Sequence, residues 1–284
     1  MKEDDLSQTN PEFDSRMGRS APGYGLSLLH GGVITVLMCL MVGCVTEYSG
    51  GTQMSSDPDA TLDKRVALAR QYIGVGDWEN AKRNLELASE IDSNNAEVYE
   101  AFALVYQSTG EYELAEENFK RALRFDPDFS RARNNYAAFL FFLGRFEDAE
   151  PEFERVTLDS LYSGRPLAYV NLGLCRLRLT DDLGAEQAFT RALRMDRRNP
   201  LALLEMGFLK VRAGDFKAAE SYYAVYQTVV RRQPPRGLIL GLEIARGQGD
   251  KNAVSSYELA LRNLYADSPE YQRYLQDQAA EGRR

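Results

Sequence analysis

Three cysteines and one histidine are the residues whose types invite covalent or metal chemistry: Cys39, Cys44, Cys175 and His30. A thiol beside an imidazole is the usual pairing for nucleophilic catalysis, and thiols grouped with imidazoles make zinc sites. Neither grouping is open to the body of this chain. His30, Cys39 and Cys44 fall in or beside one apolar stretch near the N-terminus, and only Cys175 lies far beyond it. If that stretch is removed on maturation, no histidine remains. The commonest general base, the commonest metal ligand and every Ser–His or Cys–His pair go with it. Carboxylates are plentiful, with 42 Asp and Glu against 34 Lys and Arg, but runs such as ELAEENFKRALR (113–124) read as solvated helix faces. The net charge of −8 sets the chain against nucleic acid as a partner. Phosphate-cradling loops are missing too, so neither an enzyme nor a small-molecule binder is expected.

The cysteine with the most specific surroundings is Cys44. Residues 26–42 are apolar but interrupted by Ser27, His30, Gly31, Gly32 and Thr35. Their unbroken core, VLMCLMV (36–42), is far short of the about 20 apolar residues that span a bilayer. Such a length suits the centre of a secretory signal. Residues 1–16 make a poor leader for it, with Glu3, Asp4, Asp5, Glu12 and Asp14 against Lys2 and Arg16. Met17-Gly18-Arg19 makes a better one, and translation is expected to start at Met17. The tetrapeptide MVGC (41–44) resembles the lipobox of bacterial lipoproteins. Gly43 suits that motif and Met41 and Val42 are tolerated, whereas Cys39 fails because bulky Met38 precedes it. The resemblance implies cleavage before Cys44, a diacylglycerol in thioether linkage to its sulfur, and an acyl chain on the new amino group. That is enough hydrocarbon for stable anchoring. Val45 stands where an Asp would imply retention in the inner membrane, so the outer membrane is implied. Residues 1–43 then form an extension and signal, and 44–61 a lipidated flexible tether without apolar periodicity. Cys175, left without a partner, is expected as a buried thiol.

What the tether would carry repeats itself. Small residues recur at Ala69, Ala103, Ala137, Gly173, Gly207 and Gly241, and again at Ala81, Ala115, Ala149, Ala185, Ala219 and Ala253. A large apolar column follows at Leu85, Phe119, Phe153, Phe189, Tyr223 and Tyr257. The spacing is 34 residues except for one step of 36, which places two extra residues near LYSGRP (161–166). Six units result: 62–95, 96–129, 130–165, 166–199, 200–233 and 234–266. Each reads as two helices around a turn at Gly76, Gly110, Gly144 or Gly214, where glycine accepts a positive φ. Unit four has Thr180-Asp181-Asp182 instead, and unit six is altered around Gln248-Gly249. Pro151 falls inside a helix of unit three and is expected to kink it mildly. In 267–284, Asp267 or Ser268 can cap and Pro269 suits the first helical position of a short amphipathic helix that covers the last unit.

This pattern resembles the tetratricopeptide repeat. The resemblance implies an all-α solenoid of about six helix-turn-helix units, a right-handed superhelix with a C-terminal capping helix. First helices of such units line a concave face. The positions expected there are Arg70, Glu100, Leu104 and Gln107 in the first two units, then Asn134, Ala138, Phe141 and Phe142 in unit three. Unit four offers Val170, Leu174, Leu177 and Arg178, and unit five Leu204, Phe208, Val211 and Arg212. An apolar groove with arginines nearby suits an apolar peptide or amphipathic helix. The alternative is that the C-terminal helix or tight curvature covers it.

Lipobox, tether and repeats together resemble the type IV pilus biogenesis and stability proteins, outer-membrane lipoproteins that act as pilotins. The stretches that carry the resemblance are ARNNYAAFLFFLGRFEDAE (132–150), AYVNLGLC (168–175) and ADSPEYQRYL (266–275). It implies a non-enzymatic protein that binds the outer-membrane secretin subunit of the pilus machine and brings it to that membrane for multimerisation. No cofactor beyond the lipid on Cys44 is implied. The second reading is a lipoprotein scaffold of another envelope assembly or export machine.

Overall fold

A computed structural model of the chain describes residues 57–281. The expected signal, the lipobox with Cys44 and nearly all of the tether therefore lie outside the described residues. Within them the chain forms α-helices in pairs: α1 (Pro58–Val75) with α2 (Trp78–Ile91), α3 (Ala96–Thr109) with α4 (Tyr112–Phe125), and α5 (Ser130–Phe142) with α6 (Phe146–Leu158). Next come α7 (Arg165–Arg178) with α8 (Asp182–Met195), α9 (Pro200–Arg212) with α10 (Phe216–Val229), and α11 (Pro235–Gln248) with α12 (Lys251–Tyr265). A single helix, α13 (Pro269–Glu281), closes the series. The architecture is an all-α tetratricopeptide-repeat superhelix of six units with a terminal capping helix.

The ends of the helices are set by local chemistry. Asp77, Asn95, Asp181, Asn199, Asp215 and Asp250 each accept hydrogen bonds from backbone N–H groups in the turn that they begin. The first helix starts earlier than the apolar repeat alone indicates. Pro58 takes the first helical position and Asp57 accepts from the Asp59 N–H, so α1 begins inside the stretch read as tether. Ser268 is the residue that caps α13, accepting from the Tyr271 N–H at 3.2 Å. Pro151 sits within α6, and the helix continues through it to Leu158.

The turns inside five units put a glycine in the left-handed region, at φ between 74° and 84°. One of the five is Gly249 of unit six. Unit four has Thr180 at the equivalent place, with φ +60°, and it is the one non-glycine residue of positive φ among those described. A β-branched side chain is strained there, by roughly 1–2 kcal/mol.

Packing follows the three columns. Ala69, Ala81, Ala103, Ala115, Ala137 and Ala149 are fully buried, as are Leu85, Phe119 and Phe189. Glycine replaces alanine where a neighbouring side chain approaches more closely: a Cβ on Gly173 would sit 2.6 Å from the Phe189 ring, one on Gly207 2.5 Å from Leu240, and one on Gly241 2.6 Å from Tyr223 and Tyr257. The core is shared between neighbours. Phe119 of α4, Tyr136, Phe139 and Leu140 of α5, Phe153 of α6 and Cys175 of α7 belong to one cluster. At the far end, Tyr271 and Tyr274 of α13 join Ile239, Leu242 and Leu261. The Tyr265 hydroxyl also donates to the Gln233 carbonyl at 2.7 Å. Polar links cross the same boundaries. Glu116 of α4 accepts from Tyr136 of α5 (3.1 Å) and from Arg145 at the start of α6 (2.8 Å). Burial would raise its carboxyl, but hydrogen bonds from Lys120, Arg145 and Tyr136 outweigh that and hold it below the ordinary value.

Thr180→Gly should stabilise the protein by roughly 0.5–1 kcal/mol, the relieved strain less the entropy lost by glycine. Urea unfolding checks this; a midpoint that stays put or falls contradicts the strain.

Candidate functional site

The first helices α5, α7, α9 and α11 lie side by side along the inner face, and a pocket of about 740 Å³ opens across them. Its floor is apolar: Phe141 from the end of α5, Leu174 and Leu177 from α7, and Leu201 from the first turn of α9. All four are half-buried, so their outer surfaces face the opening. Three guanidinium groups stand around them. Arg178 and Arg212 occupy the last turns of α7 and α9, where a helix dipole favours a cation, and Arg236 comes from the first turn of α11. Thr180 and Asp182, from the strained turn into α8, and Glu205 of α9 complete the lining. None of the lining residues comes from α13, so the capping helix does not cover this pocket.

Two of the three arginines are neutralised inside the site. Arg212 donates from Nε and Nη2 to the two carboxylate oxygens of Asp182, at 3.0 and 2.7 Å. Arg236 donates both terminal nitrogens to Glu205, the second at 2.7 Å, and lies 5.0 Å above the Phe208 ring. Glu205 is only 1% exposed, so this pair anchors α11 to α9 from the inside. Arg178 stands 4.3 Å over the Phe146 ring and 5.9 Å over Phe141, and makes no ion pair among the described residues.

Five positions expected on the face converge on this pocket: Phe141, Leu174, Leu177, Arg178 and Arg212. The others are placed differently. Val170 is fully buried with Ala202 and Met206 of the next unit, and Leu204 is buried against Tyr223 and Leu240. Both are core residues, because their faces of α7 and α9 are covered by the following unit. Phe208 and Val211 are half-buried beneath Arg236 and α11. Phe142 is 60% exposed and meets Tyr112 edge-on at 5.7 Å, outside the pocket lining. Asn134 is buried, with its side-chain oxygen unpartnered.

Towards the N-terminal end, Glu100 is fully buried and accepts from Arg70 at 2.5 Å and from Asn135 at 2.6 Å, with Arg131 at 3.8 Å. Leu104, Gln107 and Ala138 are half-buried nearby on the same helices. Glu205 and Arg236 were not singled out by repeat position. The available signal is a lone acid in the apolar helix PLALLEMGFL (200–209), which demands a cation from elsewhere.

Cys175 is a free thiol with no exposure, donating to the Phe146 carbonyl at 3.3 Å. Burial pushes its pKa up to about 12, which leaves it protonated and unreactive at neutral pH. Among the described residues no group of three or more His, Cys, Asp or Glu side chains is placed to hold a metal ion.

Comparison with known proteins agrees with the fold. Tetratricopeptide repeat family models match residues 106–160 and 140–200. The type IV pilus assembly protein PilF of Pseudomonas aeruginosa is 32% identical over 243 residues, covering 85% of this chain and 96% of that protein. A solved structure of Pseudomonas aeruginosa PilF has a TM-score of 0.72 at 33% identity, over 78% of this chain and 99% of that one. The crystal structure of PilW, described as a widely conserved type IV pilus biogenesis factor, has a TM-score of 0.66 at 29% identity, over 75% and 98%.

Arg236→Ala strands the Glu205 carboxylate in the core and should destabilise the protein by about 2–3 kcal/mol. Replacing both residues, with Glu205→Leu, should recover most of that loss. Chemical unfolding of the two variants decides it; equal destabilisation by both would contradict the buried pair.

Proposed function

We infer the function from one premise: the chain belongs to the family of type IV pilus assembly proteins built of tetratricopeptide repeats. Its role is in type IV pilus biogenesis, through protein–protein contact. Within that role we propose that it acts as a pilotin. It binds the outer-membrane secretin subunit in the groove, and a lipid anchor on Cys44 carries the complex to the periplasmic face of the outer membrane, where the secretin multimerises. The observation that carries this reading is the open pocket on the inner face. An apolar floor on rigid helices, rimmed by arginines and left uncovered by α13, has the form of a peptide-binding site.

The physical division of labour supports it. Hydrocarbon on Cys44 supplies the membrane address, residues beyond it supply reach, and the solenoid supplies the partner surface. None of these steps breaks or forms a bond in the partner, so the protein works without enzymatic chemistry.

In cells carrying the doubly substituted Leu174→Ala/Leu177→Ala protein, secretin multimers on gels and surface pili should fall towards the level of a deletion strain. A melting profile close to that of the parent confirms that the fold survives. Normal multimers in the deletion strain would refute the pilotin role, and normal multimers with only the double variant would refute the groove. Cys44→Ala should abolish acyl labelling and outer-membrane fractionation; unchanged fractionation would contradict the anchor.

A further inference from the structure

We propose that the groove pocket recognises a partner segment in which an aliphatic or aromatic side chain stands next to a carboxylate. The apolar group seats on Phe141, Leu174, Leu177 and Leu201, and the carboxylate pairs with Arg178. The proposal deepens the groove reading given above and rests on it.

The argument begins with charge inside the pocket. Three guanidinium groups face two carboxylates, and both carboxylates are taken. Asp182 receives two N–H donors of Arg212, and Glu205, almost without exposure, receives two of Arg236. Arg178 is the surplus cation. It is exposed at the mouth of the pocket, directly beside the apolar floor.

Its posture also fits a ligand role. The guanidinium lies over the Phe146 ring at 4.3 Å and within 5.9 Å of Phe141. The ring contact leaves the N–H donors of Arg178 without an acceptor among the described residues, so they are available to a planar, bidentate one. The contact also restrains the side chain before any partner arrives, which lowers the ordering cost of binding.

Surroundings select the kind of anion. The chain as a whole carries −8, but residues 165–236, which build most of the pocket, hold 13 Lys and Arg against 7 Asp and Glu, so the groove lies in a locally basic part of the chain that favours an anionic partner. Asp182 stands in the same pocket. Its charge is matched by Arg212, so Arg178 is left to set the preference for an anion. The neighbouring leucines and Phe141 add an apolar requirement that a free anion cannot meet. An acidic residue adjacent to an apolar one meets both.

The test uses the detergent-solubilised full-length protein and a phage-displayed library of random peptides. Panning should enrich sequences with Asp or Glu beside Leu, Ile, Phe or a similar residue. A synthetic copy of an enriched peptide should bind Arg178→Gln about tenfold more weakly, while Arg178→Lys, which keeps the charge but loses the fork, falls between. Panning against Arg178→Glu should switch the preference to Lys or Arg beside the same apolar residue. Unaltered melting of the variants shows that the change is local. Enrichment without acidic residues, an acidic preference that persists in Arg178→Glu, or no enrichment at all overturns the proposal. Because no secretin enters this experiment, its failure is separate from failure of the pilotin role, which secretin multimers report.

Discussion

A single helical pair of this chain cannot bury its own apolar surface; each pair relies on the next. That constraint governs the structure. It explains why the alanine and aromatic columns keep a 34-residue step, since a shift of either column by one residue would turn it away from the neighbouring unit. It explains the closure at the end, where Tyr271 and Tyr274 of α13 occupy the place that a further unit would fill. It also determines what is left over. Stacking consumes both flanks of every pair, and the inner stripe of the first helices stays open between α5 and α11.

The same constraint gives the buried acids their meaning. Glu100 and Glu205 each sit on a first helix and reach donors in the next unit, Asn135 and Arg236. Such pairs add little net stability against an apolar alternative, but they are intolerant of a missing partner. In a stack held by repetitive apolar contacts, they favour one neighbour and one register. At Glu205 the pair also lines the pocket, where its two charges are spent on each other. The strained Thr180 turn lies at the same mouth, where Asp182 is held against Arg212.

Much of the fold could be read from the sequence because its signals are periodic or local. The small and large columns, the glycine turns and the cap before Pro269 each depend on residues a few positions apart or on exact recurrence. The site was readable only in part. Phe141, Leu174, Leu177, Arg178 and Arg212 followed from helical offset. Val170 and Leu204 share that offset but lie in the core, because how far one unit roofs another depends on the approach of backbones. Glu205 and Arg236 are joined across 31 residues, beyond any helical spacing. The early start of α1 depended on Asp57 and Pro58, two residues in a stretch otherwise free of apolar pattern. Cys44 and the signal before it lie outside the described residues and stand on the lipobox alone.

Pre-organisation connects this architecture to its role. The pocket is built on helix faces whose backbones are fixed by shared cores, and two of its three cations are locked by bidentate pairs. Little ordering is then required when a partner binds. Hydrogen exchange of the full-length protein, with and without the periplasmic region of the secretin, tests the central claim most directly. The account predicts slowed exchange in peptides from α7, α9 and the start of α11, with little change in α2 or α4. Protection confined to α1 and α2, or to the outer helices, would contradict it.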